Sequence, residues 1–174
     1  MAQIVERMLR AAKLDASLYE EVEADPAALG QALGVVVLSS VAGGLGAPGE
    51  GGAGLVVMGT ISALLSWFIW AYLTYLIGVK VMPEPQTRSS PGELLRTIGF
   101  SSAPGLVRVL GLIRPLAWIV FAVASVWMLV AMVVAVRQAL DYRSTGRAVG
   151  VCAVAWVIQA VILALLFTLF GTTA

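Results

Sequence analysis

Five apolar stretches, each close to the thickness of a bilayer, constrain this chain more than any other feature. They run from about Ala28 to Gly46, Gly54 to Val79, Leu94 to Ile113, Leu116 to Val136 and Ala148 to Phe170. A helix rising about 1.5 Å per residue needs about 20 apolar residues to cross roughly 30 Å of hydrocarbon. The expected fold class is therefore an all-α membrane protein, a bundle of five transmembrane helices. Composition agrees, since 60% of the 174 residues are hydrophobic and 12% charged, against about 25% charged in soluble domains. Residues 1–27 are expected to form cytoplasmic amphipathic and acidic helices, and residues 28–170 the membrane domain. No room remains for a second soluble domain.

The charges divide unevenly. Of the eleven basic residues, Arg7, Arg10 and Lys13 precede the first span, Lys80, Arg88 and Arg96 fall between the second and third, and Arg137, Arg143 and Arg147 fall between the fourth and fifth. Only Arg108 and Arg114 belong to the other side. Lysine and arginine concentrate on the cytoplasmic face, which places the N-terminus inside and the C-terminus outside. A long, acid-containing segment precedes the first apolar stretch, so that stretch is expected to be retained rather than cleaved as a signal peptide. Eleven basic and ten acidic residues nearly cancel, and nucleic acid is not an expected partner. With one cysteine, Cys152, and no histidine, neither a disulfide framework nor a thiolate and imidazole metal cluster can be assembled. No metal and no cofactor are expected. Cys152, placed near the outer end of the fifth span, reads as a small packing residue.

Helix starts are marked at Asp15, at Asp25 before Pro26, and at Ser90 before Pro91, where Glu93 completes a capping box. Within residues 3–13, Ile4, Met8 and Ala12 share one face with Val5 and Leu9 beside them, while Arg7, Arg10 and Lys13 occupy the polar side. Such a helix either lies in the interface against anionic lipid or packs on the end of the bundle. Glu20, Glu21, Glu23 and Asp25 follow, and are expected to form a solvated helix face. A glycine-rich connection makes the first two spans an antiparallel hairpin. Pro83, Pro85 and Pro91 forbid a continuous helix between the second and third.

None of the ten acids lies within a span, which argues against a carboxylate-driven pump. Without histidine no Ser-His-Asp triad can be drawn, so an enzyme is not expected. The third span is the exception to the blandness of the others: it carries Gly99, Phe100, Ser101, Ser102, Pro104, Gly105 and Arg108. Proline at this depth removes a backbone hydrogen bond that lipid cannot replace, and Ser101 and Ser102 are placed to supply hydroxyls. Two readings follow. In one, the helix is broken beside a cavity and Arg108 turns inward to hold an anionic group such as a lipid phosphate. In the other, a proline kink packs against the second span and Arg108 reaches out to the interface. Gln159, in the middle of the fifth span, is expected to tie helices together. Gly30 and Gly34 form a GxxxG pair permitting close helix packing, within the chain or in a homo-oligomer. Trp67, Phe68, Trp70, Tyr72 and Tyr75 are expected to be packing residues and lipid contacts.

The segment DPAALGQALGVVVL, the N-in arrangement of five spans and the block SSPGELLRTIGFSSAPGLVRVLGLI together resemble the Yip domain family, from about Leu14 onward. The most specific element is ELLRTIGFSSAP, in which Gly99, Phe100 and Pro104 match the family's Gly-Tyr or Gly-Phe pair and following proline. Eukaryotic members interact with Rab proteins, but this chain lacks their Asp-Leu-Tyr-Gly-Pro motif. Its alanine-, glycine- and valine-rich composition looks bacterial. The resemblance implies a fold and a membrane location, and hardly a reaction. With no acid in a span and charge concentrated on one face, the expected function is that of a non-enzymatic protein of the bacterial inner membrane that organises protein partners or lipids. The alternative is a small channel, lipid scramblase or transporter with a cavity at the broken third span.

Overall fold

In the computed structural model, which describes residues 2–48 and 52–170, every regular element among the described residues is helical. Seven α-helices follow in chain order: α1 Ala2–Ala12, α2 Ala16–Ala24, α3 Ala28–Gly46, α4 Ala53–Tyr75, α5 Pro91–Phe100, α6 Ala117–Ala139 and α7 Thr145–Phe170. A π-helical turn, Leu76–Val81, extends α4. A 3-10 segment, Ala103–Leu112, continues the path of α5. Four helical stretches are long and apolar enough to cross a membrane: Ala28–Gly46, Ala53–Val81, Arg114–Ala139 and Thr145–Ile162.

The stretch 94–113, expected to be a span broken or kinked at Pro104, is divided. Ten α-helical residues end at Phe100, Ser101 and Ser102 form a turn, and ten 3-10 residues follow. Pro104 stands at the start of the second piece, where its missing N–H costs nothing, yet it bars the α-helix from continuing through it. Ser101 donates its hydroxyl to the Ile98 carbonyl at 2.7 Å, so a hydroxyl reaches an acceptor near the end of α5.

The chain ends its helices where local chemistry dictates. Ser90 and Glu93 form a reciprocal capping box with Pro91 at the first helical position. Asp15 accepts from the Ser17 N–H at 3.0 Å and caps α2. Between α1 and α2 the chain reverses at Leu14, whose φ of 62° lies in the left-handed region. Asp25 accepts from the Ala27 N–H at 3.0 Å, which shapes the turn before α3 rather than capping the helix itself.

The N-terminal helices are built into the bundle. Leu18, Tyr19 and Val22 of α2 are fully buried in one core cluster with Ala11, Ala32, Val35, Phe100 and Ala135. The Trp127 indole N–H of α6 donates to the Ala12 carbonyl at 2.8 Å. Ile4 and Met8 pack against this cluster, while Val5 and Leu9 face outward. Arg7 departs from the expected polar side: it is buried, with its guanidinium on Glu21, Asp25 and Gln31 at 2.9–3.0 Å. The acidic stretch is correspondingly not a solvated face alone, since Glu21 also pairs with Arg10. A second core cluster gathers Trp70, Leu94, Ile98, Val136, Leu140, Tyr142 and Val151, with Cys152 packed against it. Cys152 therefore sits two turns into α7, at the end nearest the N-terminal helices, and not at the far end as expected.

Candidate functional site

Between the helices lies a cavity of about 510 Å³, to which α3, α4, α5, the 3-10 segment, α6 and α7 all contribute. Its walls are mostly apolar, formed by Trp67, Trp70, Met128 and Trp156 among others. Its polar groups are Ser39 and Ser40 of α3, Ser66 of α4, Ser102 after α5, Arg108 of the 3-10 segment and Gln159 of α7. Three atoms on these residues are buried without a hydrogen-bond partner: Arg108 Nε, Trp70 Nε1 and Gln159 Oε1.

The 3-10 segment sets the direction of Arg108. The segment packs closely along the second half of α3, with the Arg108 carbonyl against Gly46, the last residue of that helix, and Gly111 against the same glycine backbone. From there the side chain runs back into the bundle rather than away from it. Its aliphatic part passes Gly43, where an added Cβ would meet Arg108 Cδ at 3.6 Å. Arg108 Nη2 donates to the Ser125 hydroxyl at 3.1 Å, and the guanidinium carbon stands 5.4 Å from the Phe121 ring centre. Ser125 lies eight residues into α6, about 12 Å from its start.

Glycines make these approaches possible. At Gly105 a side chain would strike the Ser39 hydroxyl and the Met128 sulfur, and at Gly99 it would meet Ala32 Cβ at 2.7 Å. Gly99 thus seats α5 on α3, and Phe100, fully buried, anchors α2 against α5. Gly99, Phe100, Ser101 and Pro104 are packing and backbone residues outside the cavity lining, whereas Ser102 and Arg108 face the cavity. Gln159 is brought to the cavity with its carbonyl oxygen unpaired. Gly30 meets no neighbour within 4 Å, and Gly34 has only Ile4 of α1 above it, at 3.8 Å. The close contacts between helices run instead through Gly44, Gly46, Gly99, Gly105 and Gly111.

Ser39, Ser66, Phe121 and Ser125 were not legible as site residues. Hydroxyls in apolar spans are the only signal, and a weak one, because a helical serine can satisfy itself: Ser40 donates to the Val37 carbonyl at 2.9 Å. Among the described residues no group of three or more acidic or cysteine side chains could hold a metal ion.

The α1–α2 pair, the 82–90 loop and the 141–147 turn form the other polar region. Gln138 donates to Glu20 at 2.8 Å, Gln86 donates to the Asp141 carbonyl at 2.9 Å, and Glu84 accepts from the Arg143 N–H at 3.1 Å. Arg147 pairs with Glu84 at 3.2 Å, and the Tyr142 hydroxyl lies 2.9 and 2.7 Å from the Gly78 and Met82 carbonyls. Arg96 of α5 donates to the Val22 carbonyl at 2.8 Å and to that of Glu23, occupying the last carbonyls of α2. The Asp15 carboxyl is held down at about 2 by the Ser17 hydrogen bond and by Arg10, and Glu21 is lowered chiefly by Arg10. Glu23 is pushed up to about 7 by burial, with Glu93 and Asp141 adding to it.

These features define an all-helical membrane protein whose N-terminal helices and broken third element are parts of one bundle. The Yip1 domain family model matches residues 17–167, and the chain belongs to that family. The match takes in α2 and the divided third element, while α1 precedes it. Comparison with curated proteins and with solved structures gives no match.

Proposed function

We propose that this Yip1-family protein is non-enzymatic, crosses the bacterial inner membrane five times with its N-terminus inside, and organises protein or lipid partners from its cytoplasmic face. Ten α-helical residues cover about 15 Å and ten 3-10 residues about 20 Å, so α5 and its continuation are together long enough for the fifth crossing. One observation carries the functional reading: three segments far apart in sequence are tied into a single surface at one end of the bundle through Glu20, Glu84, Arg96, Asp141 and Tyr142. A surface held in one arrangement before contact spends less free energy on ordering when a partner binds. Arg88 and Arg143 are exposed on it.

Photo-crosslinking residues placed at positions 88 and 143, with position 118 at the opposite end as control, test this in membranes. Discrete adducts are expected at 88 and 143, and Glu84→Ala, which unties two of the segments, is expected to reduce them. Equal capture at 118, or adducts indifferent to Glu84→Ala, would overturn the reading.

A further inference from the structure

We infer that the intramembrane cavity is a binding site for an anionic amphiphile, whose phosphate or carboxylate head meets Arg108 and whose apolar chain leaves between the helices. The charge argument comes first. A guanidinium remains protonated under all ordinary conditions, and a charge removed from water costs several kcal/mol unless it is paired. Among the described residues, the Arg108 guanidinium meets the Ser125 hydroxyl and the Phe121 ring. The ion pairs formed between described residues, which include those of Arg7, Arg10 and Arg147, leave Arg108 out. All nine acids among the described residues lie outside the cavity lining. The described residues thus hold a cation beside the cavity and supply no anion for it.

The unpaired polar atoms then fix the chemistry of the missing partner. Arg108 Nε and Trp70 Nε1 are both donors, both buried and both unpartnered on residues that line the cavity. Trp70 is 8% exposed, so water at the protein surface does not satisfy it. Gln159 Oε1 is the third such atom, and a half-turn of its amide presents two further N–H donors in the same place. Unpaired donors lining a cavity that also holds a fixed positive charge suit an oxyanion. Ser40, Ser66 and Ser102 add hydroxyls that donate or accept.

The mouth of the cavity selects an amphiphile over a free anion. Beyond Ala155 no described residue of α7 is buried, so the later part of that helix stands away from the core. Leu129 of α6 and Trp156 of α7, both lining residues, are 59% and 66% exposed. An opening rimmed by leucine and tryptophan faces lipid chains, along which a lipid enters and an ion from water does not. The volume of about 510 Å³ falls within the range of about 300–1,000 Å³ usual for small-molecule sites. The site is independent of the cytoplasmic surface proposed above, and the two fail separately.

Native mass spectrometry of the full chain, purified in detergent and stripped of lipid, tests the site with four probes: dioleoyl phosphatidylglycerol, oleate, dioleoylglycerol and inorganic phosphate. Saturable uptake of one equivalent of phosphatidylglycerol or oleate is expected, with dioleoylglycerol failing to bind. Arg108→Gln is expected to weaken that uptake at least tenfold, and Arg108→Lys to restore part of it. Ala63→Phe, which keeps the charge and fills the cavity from α4, is expected to exclude the lipid while the helical content and melting temperature stay near wild type, and decides the matter if Arg108→Gln does not fold. Phosphate binding without either amphiphile would assign the site to a free anion and overturn the inference. So would equal uptake of dioleoylglycerol, or uptake unchanged by both Arg108→Gln and Ala63→Phe.

Discussion

Arg7 and Arg108 are two arginines that the same chain draws away from water, and their surroundings differ in kind. Arg7, its side chain 5% exposed, is enclosed by two carboxylates and an amide: Glu21, Asp25 and Gln31. Arg108 meets one hydroxyl and one aromatic face, with its Nε unpartnered beside a cavity. The difference follows from where the acids are: nine of the chain's 21 charges lie before α3, and none of the acids lies in a span. At the N-terminal end, charge is used up in joining helices. Within the bundle, Arg108 meets no acid among the described residues.

The comparison is sharpened most by Arg7→Leu. It leaves Glu21 and Asp25 without their buried partner, and a loss of about 2 kcal/mol is expected, scaled down because both carboxylates keep roughly a third of their exposure. Thermal unfolding in micelles checks it, and an unchanged melting temperature would erase the distinction between the two arginines. Gly99→Val drives methyl groups into Ala32 on α3, and a comparable loss of about 2 kcal/mol is expected from overpacking. Denaturant titration followed by circular dichroism measures it. Ser90→Ala removes the capping box at the start of α5 and is expected to cost about 1 kcal/mol, visible as earlier hydrogen exchange at Glu93 and Leu94.

The pH dependence has a defined sign at Glu23. Its carboxyl is raised by burial to about 7 in the folded chain, so the folded state holds the proton more tightly than the unfolded one. Stability from this group is fully present below about pH 4.3 and is lost as pH rises through about 7. Glu23→Gln is expected to flatten that fall and raise stability at pH 8 by about 1 kcal/mol, a figure reduced for a half-exposed group. Melting temperatures at pH 5 and pH 8 decide it. Asp15 and Glu21 act in the opposite sense, since their lowered values make their contribution disappear on acidification. The smallest effect separates the arginines most cleanly. Arg108→Leu in lipid-stripped detergent is expected to change stability by less than about 0.5 kcal/mol or to raise it, because it removes a half-buried charge that meets no anion among the described residues. A loss as large as that of Arg7→Leu would show that Arg108 is structural.

Much of the fold was legible because it depends on local chemistry. The bounds of α3, the Ser90 capping box and the interruption near Pro104 follow from apolar length, hydroxyl and carboxylate spacing, and a missing N–H. The site was legible only in part. Arg108, Ser102 and Gln159 stand out as polar residues in apolar helices, but their convergence on one cavity depends on which faces the helices turn to each other. The burial of Arg7 was not legible for the same reason: the acids of α2 and the Gln31 amide of α3 that cover it come from other elements. Within the chain, helices come close not at the GxxxG pair Gly30 and Gly34 but at Gly99, Gly105 and Gly46, which carry no such spacing signal.

By itself the sequence determined that this chain is an all-helical membrane protein, that its acids fall outside its long apolar stretches, and that its third stretch is broken or kinked near a proline. These rest on hydrophobic length, the cost of intramembrane charge and the geometry of one ring, all of which act within a few residues. Only the tertiary structure decided that α1 and α2 belong to the bundle, that Arg7 is neutralised and Arg108 is not, and that Arg108 turns inward. Those outcomes depend on contacts between elements tens of residues apart, such as Gly46 with Gly111 and Arg108 with Ser125, and no periodicity in the chain encodes which helices meet.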